Sequence, residues 1–311
     1  MRIIYLGSPE FAVLPLRDLV AAGHQIAAVY TQPDRPRGRG GATRPTAVKA
    51  AALELGLPVF TAHKINQPEH VAQMRALEPQ VIVVVAFGSI LRDDILRLAP
   101  HGCINIHASL LPKYRGAAPI QWAVINGERE SGVTTMHLDA GMDTGDMILS
   151  EALPIGENET AGELHDRLQP LGSRLLLRTL ELLESGQAPS IRQDHAAATY
   201  APPLTEDDEL LDWRQPAQRV HDRIRGLSPF PGAYTLHRGK RLKIYGSRLD
   251  EGQGRPGQVI AADKRGVRVA CGSGAVQLTL LQPPGKAKMD ATAYVNGYRL
   301  AAGEILGVEE E

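Results

Sequence analysis

The run VIVVVAF, residues 81–87, is apolar at every position and constrains the fold more than any other stretch of the chain. A strand with one wet face alternates apolar and polar residues, whereas an unbroken valine-rich run suits a strand covered on both faces. Such cover takes helices on each side, so strands and helices should alternate around it. RIIYLG reads as a strand, and FAVLPLRDLVAA as a helix that Ser8 caps, Pro9 opens and Gly23 ends. IAAVYT is a second strand, and Thr46 caps a helix that runs through Leu55 and stops at Gly56. PVF is a short strand, PEHVAQMRAL a helix, and another short helix around Asp93 to Leu98 precedes the strand CINIH. This alternation predicts a parallel, twisted α/β sheet of Rossmann-like type.

The second half reads differently. TTMHL and MILSEALPI are two further strands, followed by an amphipathic helix from about Ala161 to Glu184, capped by Thr160 and expected to kink or break at Pro170. TYAPPLTEDDELLDW, proline-bearing and acidic, reads as a linker. Beyond it come a basic helix in PAQRVHDRIRG, a hairpin turning at Arg238-Gly239, and the strands QVIAAD, GVRVAC and AVQLTLLQ. Short strands at close intervals predict a small β-barrel. At 311 residues the chain suits two domains, 1–203 and 206–311, with a linker at about 190–210.

Several classes are disfavoured. No apolar run approaches the about eighteen residues of a membrane helix, and MRIIYLGSPE lacks the pattern of a secretory signal, which predicts a cytoplasmic protein without membrane contact. Cys103 and Cys271 are too few and too far apart for a disulfide framework and read as reduced packing residues. Only Gly7 follows the first strand, so the glycine fingerprint of a dinucleotide site is missing, as is a phosphate loop. No HExxH appears, and His101, His107 and His137 do not fall at helical ligand spacing, so no metal is expected.

Charge is distributed unevenly. Between Arg214 and Arg299 stand sixteen lysines or arginines against five aspartates or glutamates, although the whole chain carries a net charge of −1. A domain so biased on a near-neutral protein predicts a polyanionic partner.

Two clusters are candidates for chemistry. In INIHASLLPKYRG, Asn105 and His107 alternate with isoleucines, so both polar side chains leave one face of a strand at its carboxyl end, where open α/β sheets bind ligands. In LDAGMDTGDM, Gly141 and Gly145 are interleaved with Asp139, Asp143 and Asp146. Alone, a strand histidine is more often a satisfied core residue, and Asp-Thr-Gly is usually only a turn. Together, an amide donor, an imidazole and a glycine-flanked carboxylate can form an oxyanion stabiliser, an acid/base and its partner.

The stretch NIHASLLPKYRGAAPIQWAVINGERESGVTTMHLDAGMDTGDM resembles the signature of the formyltetrahydrofolate-dependent formyltransferases. RIIYLGSPEFA, TQPDRPRGRG, VVVAFGSIL, YAPPL, LLQPPGKAKM and GYRLAAGE agree as well, so the resemblance covers nearly the whole chain. It implies a Rossmann-like formyltransferase domain followed by a C-terminal OB-like β-barrel, with 10-formyltetrahydrofolate as cosubstrate. The family's catalytic triad falls on Asn105, His107 and Asp143. Its folate site falls on Phe87, Gly88 and Ile90 and on Ser109, Leu110, Leu111 and Pro112. The basic loop and second domain narrow the resemblance to members that act on initiator methionyl-tRNA. These imply tRNA contacts at Arg35, Arg37, Arg39 and Arg44, with Lys286 and Lys288 in the barrel, and a monomer.

Within the same superfamily the alternative acceptors are an amino sugar nucleotide and glycinamide ribonucleotide, and a hydrolase would release formate. A non-catalytic nucleic-acid binder would use the barrel alone. For the glycinamide enzyme and the hydrolase a basic barrel is superfluous, and for the binder the triad is.

Overall fold

A computed structural model describes residues 1–36 and 43–307. The chain passes through β1 (Arg2–Gly7), α1 (Val13–Ala21), β2 (Gln25–Thr31), the short pair β3 (Arg35–Pro36) and β4 (Thr43–Arg44), α2 (Ala47–Glu54), β5 (Val59–Thr61), α3 (Pro68–Ala76), β6 (Val81–Val85) and α4 (Asp93–Leu96). It continues through β7 (Cys103–His107), β8 (Arg115–Gly116), α5 (Pro119–Ile125), β9 (Glu130–His137), β10 (Met147–Pro154), α6 (Ala161–Glu184), β11 (Tyr200–Ala201), α7 (Glu206–Glu209) and α8 (Ala217–Gly226). The last elements are β12 (Ala233–His237), β13 (Lys240–Asp250), β14 (Val259–Asp263), β15 (Gly266–Ala270), β16 (Ala275–Gln282), β17 (Met289–Asp290) and α9 (Ala291–Tyr298). These fall into two compact units, one of Met1–Pro119, Ser131–Leu153 and His165–Pro202, the other of Ile120–Glu130, Pro154–Leu164 and the chain from Pro203 on.

The first unit is built on a seven-stranded sheet of order β10-β9-β7-β6-β1-β2-β5. β5, β2, β1, β6 and β7 run parallel, as the alternation of strands and helices requires, and β9 lies antiparallel to β7. β6 is buried at all five positions, consistent with a run that has no wet face. Thr46 caps α2 by accepting the Lys49 amide, and Gly56 follows with φ of +67°.

Two local expectations fail. Ser8 does not cap the first helix, which opens as a 3-10 turn at Glu10–Ala12. The ends of β1 and β2 are neighbours, and the Ser8 hydroxyl accepts the Gln32 amide across them at 3.1 Å. Pro170 does not break α6, which is continuous over 24 residues. Leu168, Leu171, Leu175, Leu176, Leu180 and Leu183 are all buried along it. Their burial, worth about 1.5–3 kcal/mol each, outweighs the about 3 kcal/mol that an interior proline costs.

In the second unit the ladder runs β12-β13-β16-β15-β14, antiparallel throughout, with β17 beside β16. The β12–β13 turn places both Arg238 and Gly239 at positive φ, 48° and 70°, as a two-residue hairpin demands. Trp213, Ile224, Leu227, Ile244, Val269 and Leu281 pack in its core, with Ile125 from α5. The stretch read as a linker is thus built into structure at both ends. Tyr200–Ala201 pairs with Arg115–Gly116 in the first unit, and Leu211 and Trp213 are buried in the core of the second. Both cysteines are free and buried, and burial pushes each thiol up to about 12. Among the described residues no helix is long and apolar enough to cross a membrane.

One clasp closes the second unit. Glu304 accepts hydrogen bonds from Arg238 Nε and Nη2 at 3.0 and 2.9 Å, from His237 Nε2 at 3.0 Å and from the Ala301 amide at 2.9 Å. Burial acts to raise its carboxyl, but these donors, Arg238 first, outweigh it and hold the group at about 2, below its ordinary 4.5. A depressed carboxyl stabilises the fold above its unfolded pKa, and the contribution is lost as pH falls through the folded one. Glu304→Gln should therefore lower the urea midpoint at pH 7 by the equivalent of about 1–3 kcal/mol, the range for hydrogen bonds to a charged group. The gap from wild type should close as the pH is lowered from 4.5 towards 2.

Candidate active site

β6 and β7 pair in parallel with Val84 opposite Asn105, so the loops that leave their carboxyl ends emerge side by side. β1 stands between β6 and β2, and the chain winds away from it in both directions, the point at which such sheets open a ligand crevice.

Asn105 and His107, two residues apart on β7, share a face and are only 8% and 6% exposed. His107 Nε2 lies 2.8 Å from the Tyr114 carbonyl oxygen. A carbonyl only accepts, so Nε2 carries the proton and donates it. Nδ1 is left facing Asp143, whose Oδ2 is 3.7 Å away. That oxygen also accepts the Gly116 amide at 2.8 Å. The Asn105 side-chain amide makes no hydrogen bond to protein among the described residues, although the position is buried. Among the described residues the buried side-chain polar atoms left without a hydrogen-bond partner are Arg2 Nε and Arg268 Nε, so the Asn105 amide is not sealed in and stays open to a ligand or water.

Asp143 sits in the loop between β9 and β10 at φ of +53°, a left-handed conformation that aspartate tolerates better than most residues with a side chain. The loop is closed on both sides of it. Asp139 Oδ1 accepts from the Gly141 amide at 3.0 Å and from Thr144 Oγ1 at 2.6 Å. Gln193 Nε2 donates to the carbonyls of Asp143 and Gly145 at 2.9 and 2.7 Å. Asp146 Oδ2 accepts from Ser190 Oγ at 2.5 Å. Of the three carboxylates, then, Asp139 and Asp146 hold the loop and Asp143 faces the imidazole.

The folate candidates divide by environment. Phe87 is buried in the core beside β6, and its carbonyl accepts Gln32 Nε2 at 3.2 Å. Gly88, at φ of +79°, has no neighbour within 4 Å of where a side chain would start, and Ile90 is 69% exposed. Next to β7, Ser109 Oγ donates to the Lys113 carbonyl at 2.6 Å and the Ser109 carbonyl accepts Thr134 Oγ1 at 2.7 Å. Ser109 thus shapes its turn, whose backbone is largely spent within the protein: the Leu110 carbonyl accepts the Lys113 amide, the Leu111 amide donates to Thr134 Oγ1 and the Pro112 carbonyl accepts the Thr199 amide. Gly88 leaves open space just past the end of β6, where a ligand could be admitted.

The tRNA candidates are dispersed. Arg35 and Arg44 are opposite each other in the β3–β4 pair, while Arg37 and Arg39 lie outside the described residues. The one acid at the loop's start, Asp34, is engaged by Lys49 Nζ at 2.8 and 2.9 Å, so it does not offset the loop's arginines. Lys286 and Lys288 are both exposed, but Lys288 Nζ lies over the Tyr245 ring at 3.4 Å, and partial burial and Lys243 both lower its pKa. Arg219, Lys240, Arg248, Arg255, Lys264 and Arg299 are exposed and make no ion pair among the described residues, which suits them better to phosphates.

Sequence reading missed Tyr114, Arg115, Gly116 and Gln193. The basic turn KYRG signalled the first three only as a group, and nothing in the sequence signals Gln193.

The chain resembles known proteins over nearly its whole length. A family model described as formyl transferase matches residues 1–180, and one described as formyl transferase, C-terminal domain, matches residues 203–299. The methionyl-tRNA formyltransferase of Moorella thermoacetica is 53% identical over 99% of both chains, and that of Pelotomaculum thermopropionicum 50% identical over 99% of both. Among solved structures, HypX from Aquifex aeolicus in complex with tetrahydrofolic acid superposes with a TM-score of 0.65 at 19% identity, over 98% of this chain and 48% of that one. The N-formyltransferase from Helicobacter canadensis gives 0.67 at 19% identity, over 89% of this chain and 97% of that one. The chain belongs to the methionyl-tRNA formyltransferase family, within the wider formyl transferases.

Proposed function

We propose that the protein transfers the formyl group of 10-formyltetrahydrofolate to the amino group of methionine esterified to initiator tRNA. The family supports this acceptor, since relatives about half identical over the whole chain are named for it. The observation that carries the chemistry is the Asn105 amide, unpartnered by protein and open to a ligand, on the same strand face as the His107–Asp143 pair.

When bound, the folate supplies a formyl carbon at its N10 nitrogen. The acceptor amine forms a bond to that carbon, the bond to N10 breaks, the amine loses one proton and N10 gains one. Asn105 donates to the formyl oxygen as negative charge develops there, an effect worth about 3 kcal/mol for one well-placed donor. His107 Nδ1, bare in the tautomer that Tyr114 imposes, takes the amine's proton. Asp143 stabilises the imidazolium so formed from 3.7 Å, and the same proton is then available to the departing nitrogen. Residues 87–90 and 109–112 wall the folate.

The catalytic domain is residues 1–203 and the tRNA-binding domain 206–311, acting as a monomer in the cytoplasm. The arginine loop holds the aminoacylated end while the basic second domain grips phosphates. These two elements should fail differently. Arg39→Ala should slow the transfer step about 100-fold as well as weaken binding, because it places the reacting amine. Lys286→Ala should leave turnover alone and flatten the salt dependence of tRNA binding by about one unit of log–log slope. Single-turnover rates and a salt series of binding constants separate the two.

A test of the proposal incubates the protein with 10-formyltetrahydrofolate and charged initiator tRNA and scores N-formylmethionine after ester hydrolysis. Formylation catalysed at a rate proportional to protein supports it, and release of formate without acceptor product refutes it.

A further inference from the structure

Asp143 faces a problem that the triad alone does not solve. Its backbone is in a left-handed conformation that leaves it little local support, in a loop whose residues are partly exposed. Its carboxylate must nevertheless stay aimed at His107. Gln193, fifty residues downstream and only 3% exposed, has an amide whose whole hydrogen-bonding capacity is used on this loop and its support. Nε2 donates to the carbonyls of Asp143 and Gly145, at 2.9 and 2.7 Å. Oε1 accepts from Arg115 Nε and Nη2, at 3.1 and 2.7 Å.

The amide can sit only one way. Turned over, its NH2 would meet the guanidinium donors and its oxygen would meet two carbonyl oxygens. Arg115, 2% exposed, thus fixes the sense of the amide, and its Nη2 is also 3.2 Å from His195 Nδ1. The next residue, Gly116, sends its amide to Asp143 Oδ2. Any side chain at Gly116 would start 2.7 Å from the Ala201 carbonyl oxygen, so β8 is packed tightly against β11 and leaves its amide little freedom. One short strand therefore reaches Asp143 twice, directly at the carboxylate and through Gln193 at the backbone.

We propose that Gln193, oriented by Arg115, is the positioning residue that holds Asp143 against His107 for formyl transfer. The inference rests on the function proposed above. Buried, with its amide fully engaged by Asp143, Gly145 and Arg115, Gln193 has no polar group left for folate or acceptor, so its loss should appear in the chemical step and not in the affinity for either. Because it acts through Asp143, its effect should vanish once the carboxylate is gone.

The test uses the full chain with Gln193→Met, which keeps the volume and removes the hydrogen bonds, together with Asp143→Ala and the double variant. Two readouts are taken. The first is hydrogen exchange of the Gly116 amide by NMR, which needs no activity. Gln193→Met should accelerate it at least tenfold, towards its value in Asp143→Ala, with the β7 amides unchanged. An unaltered Gly116 amide overturns the proposal. The second is single-turnover transfer. Gln193→Met should lower kcat about 30-fold with both KM values within twofold, and should add nothing in the Asp143→Ala background. Additive losses, or a loss carried by KM, overturn it. If the wild-type chain transfers no formyl group, the functional reading fails, while the exchange result still decides whether Gln193 positions Asp143.

Discussion

His107→Ala is expected to lower the single-turnover rate of formyl transfer about 1,000-fold, within the range for a lost general acid or base, while tRNA affinity stays within a few-fold. The expectation follows from how the imidazole is held. Its Nε2 is committed to the Tyr114 carbonyl at 2.8 Å, so the only nitrogen open to a reacting group is Nδ1, the one beside Asp143. No other imidazole among the described residues lies on that strand face, and the Asn105 amide cannot take up a proton. Asn105→Ala should cost about 100- to 1,000-fold by removing one oxyanion donor, and the two losses should be less than additive because both act on the same transition state. Near-normal chemistry in His107→Ala, measured with saturating folate and tRNA, would contradict the assignment.

The second large effect is expected at a residue that touches nothing reactive. In Gly145→Ala, the new methyl group would begin 2.0 Å from the His137 carbonyl oxygen and 2.9 Å from its carbon. That backbone cannot step aside cheaply. His137 ends β9, its amide donates to the Asp146 carbonyl at 2.9 Å, and the end of β9 from Thr134 to His137 is paired with β7. The loop has to move instead, and with it Asp143, two residues away. Overpacking of this kind destabilises by about 1–3 kcal/mol. Turnover should fall about 100-fold or more because the carboxylate leaves the imidazole, a loss of the size that misplacement by about 1 Å produces. Alanine at Gly88 offers the contrast. Its side chain would enter open space, so the cost there is the strain of φ +79° alone, about 1 kcal/mol. Paired thermal melts and transfer rates for the two variants distinguish collision from strain.

Much of the fold was legible because it follows from periodicity. The strands of the first sheet follow apolar or alternating runs, except that β9 begins at Glu130, four residues ahead of the run read as TTMHL, and Thr46, Gly23 and Gly56 mark helix ends as their chemistry requires. The failures came where tertiary packing overrides a local rule. Ser8 had a better acceptor role across the sheet than at a helix end, and Pro170 was carried by a continuous leucine face. Leu211 and Trp213 were hidden in an acidic context that looked like a tether.

The site was legible to the same degree. Asn105 and His107 stood out because polar residues interrupt an apolar strand. Asp143 was one of three acids in a turn, and only the resemblance to the formyltransferases separated it from Asp139 and Asp146. The Tyr114 carbonyl that sets the imidazole tautomer and the Gly116 amide that holds the carboxylate are backbone groups, identical in every sequence. Gln193 reaches the loop only because the chain folds back beside β8, and no spacing rule connects positions fifty residues apart.

The measurement that bears most directly on the central claim is a comparison of acceptors. Methionyl initiator tRNA, glycinamide ribonucleotide and an amino sugar nucleotide are each offered with 10-formyltetrahydrofolate, and the rate of formyl appearance on the acceptor nitrogen is followed by mass spectrometry at low and high salt. The account predicts transfer to the tRNA-borne methionine, one tetrahydrofolate released per formyl group, with kcat/KM falling steeply as salt rises. It is contradicted if glycinamide ribonucleotide or the amino sugar nucleotide is formylated with the higher kcat/KM, or if His107→Ala transfers to methionyl-tRNA as fast as the wild-type chain.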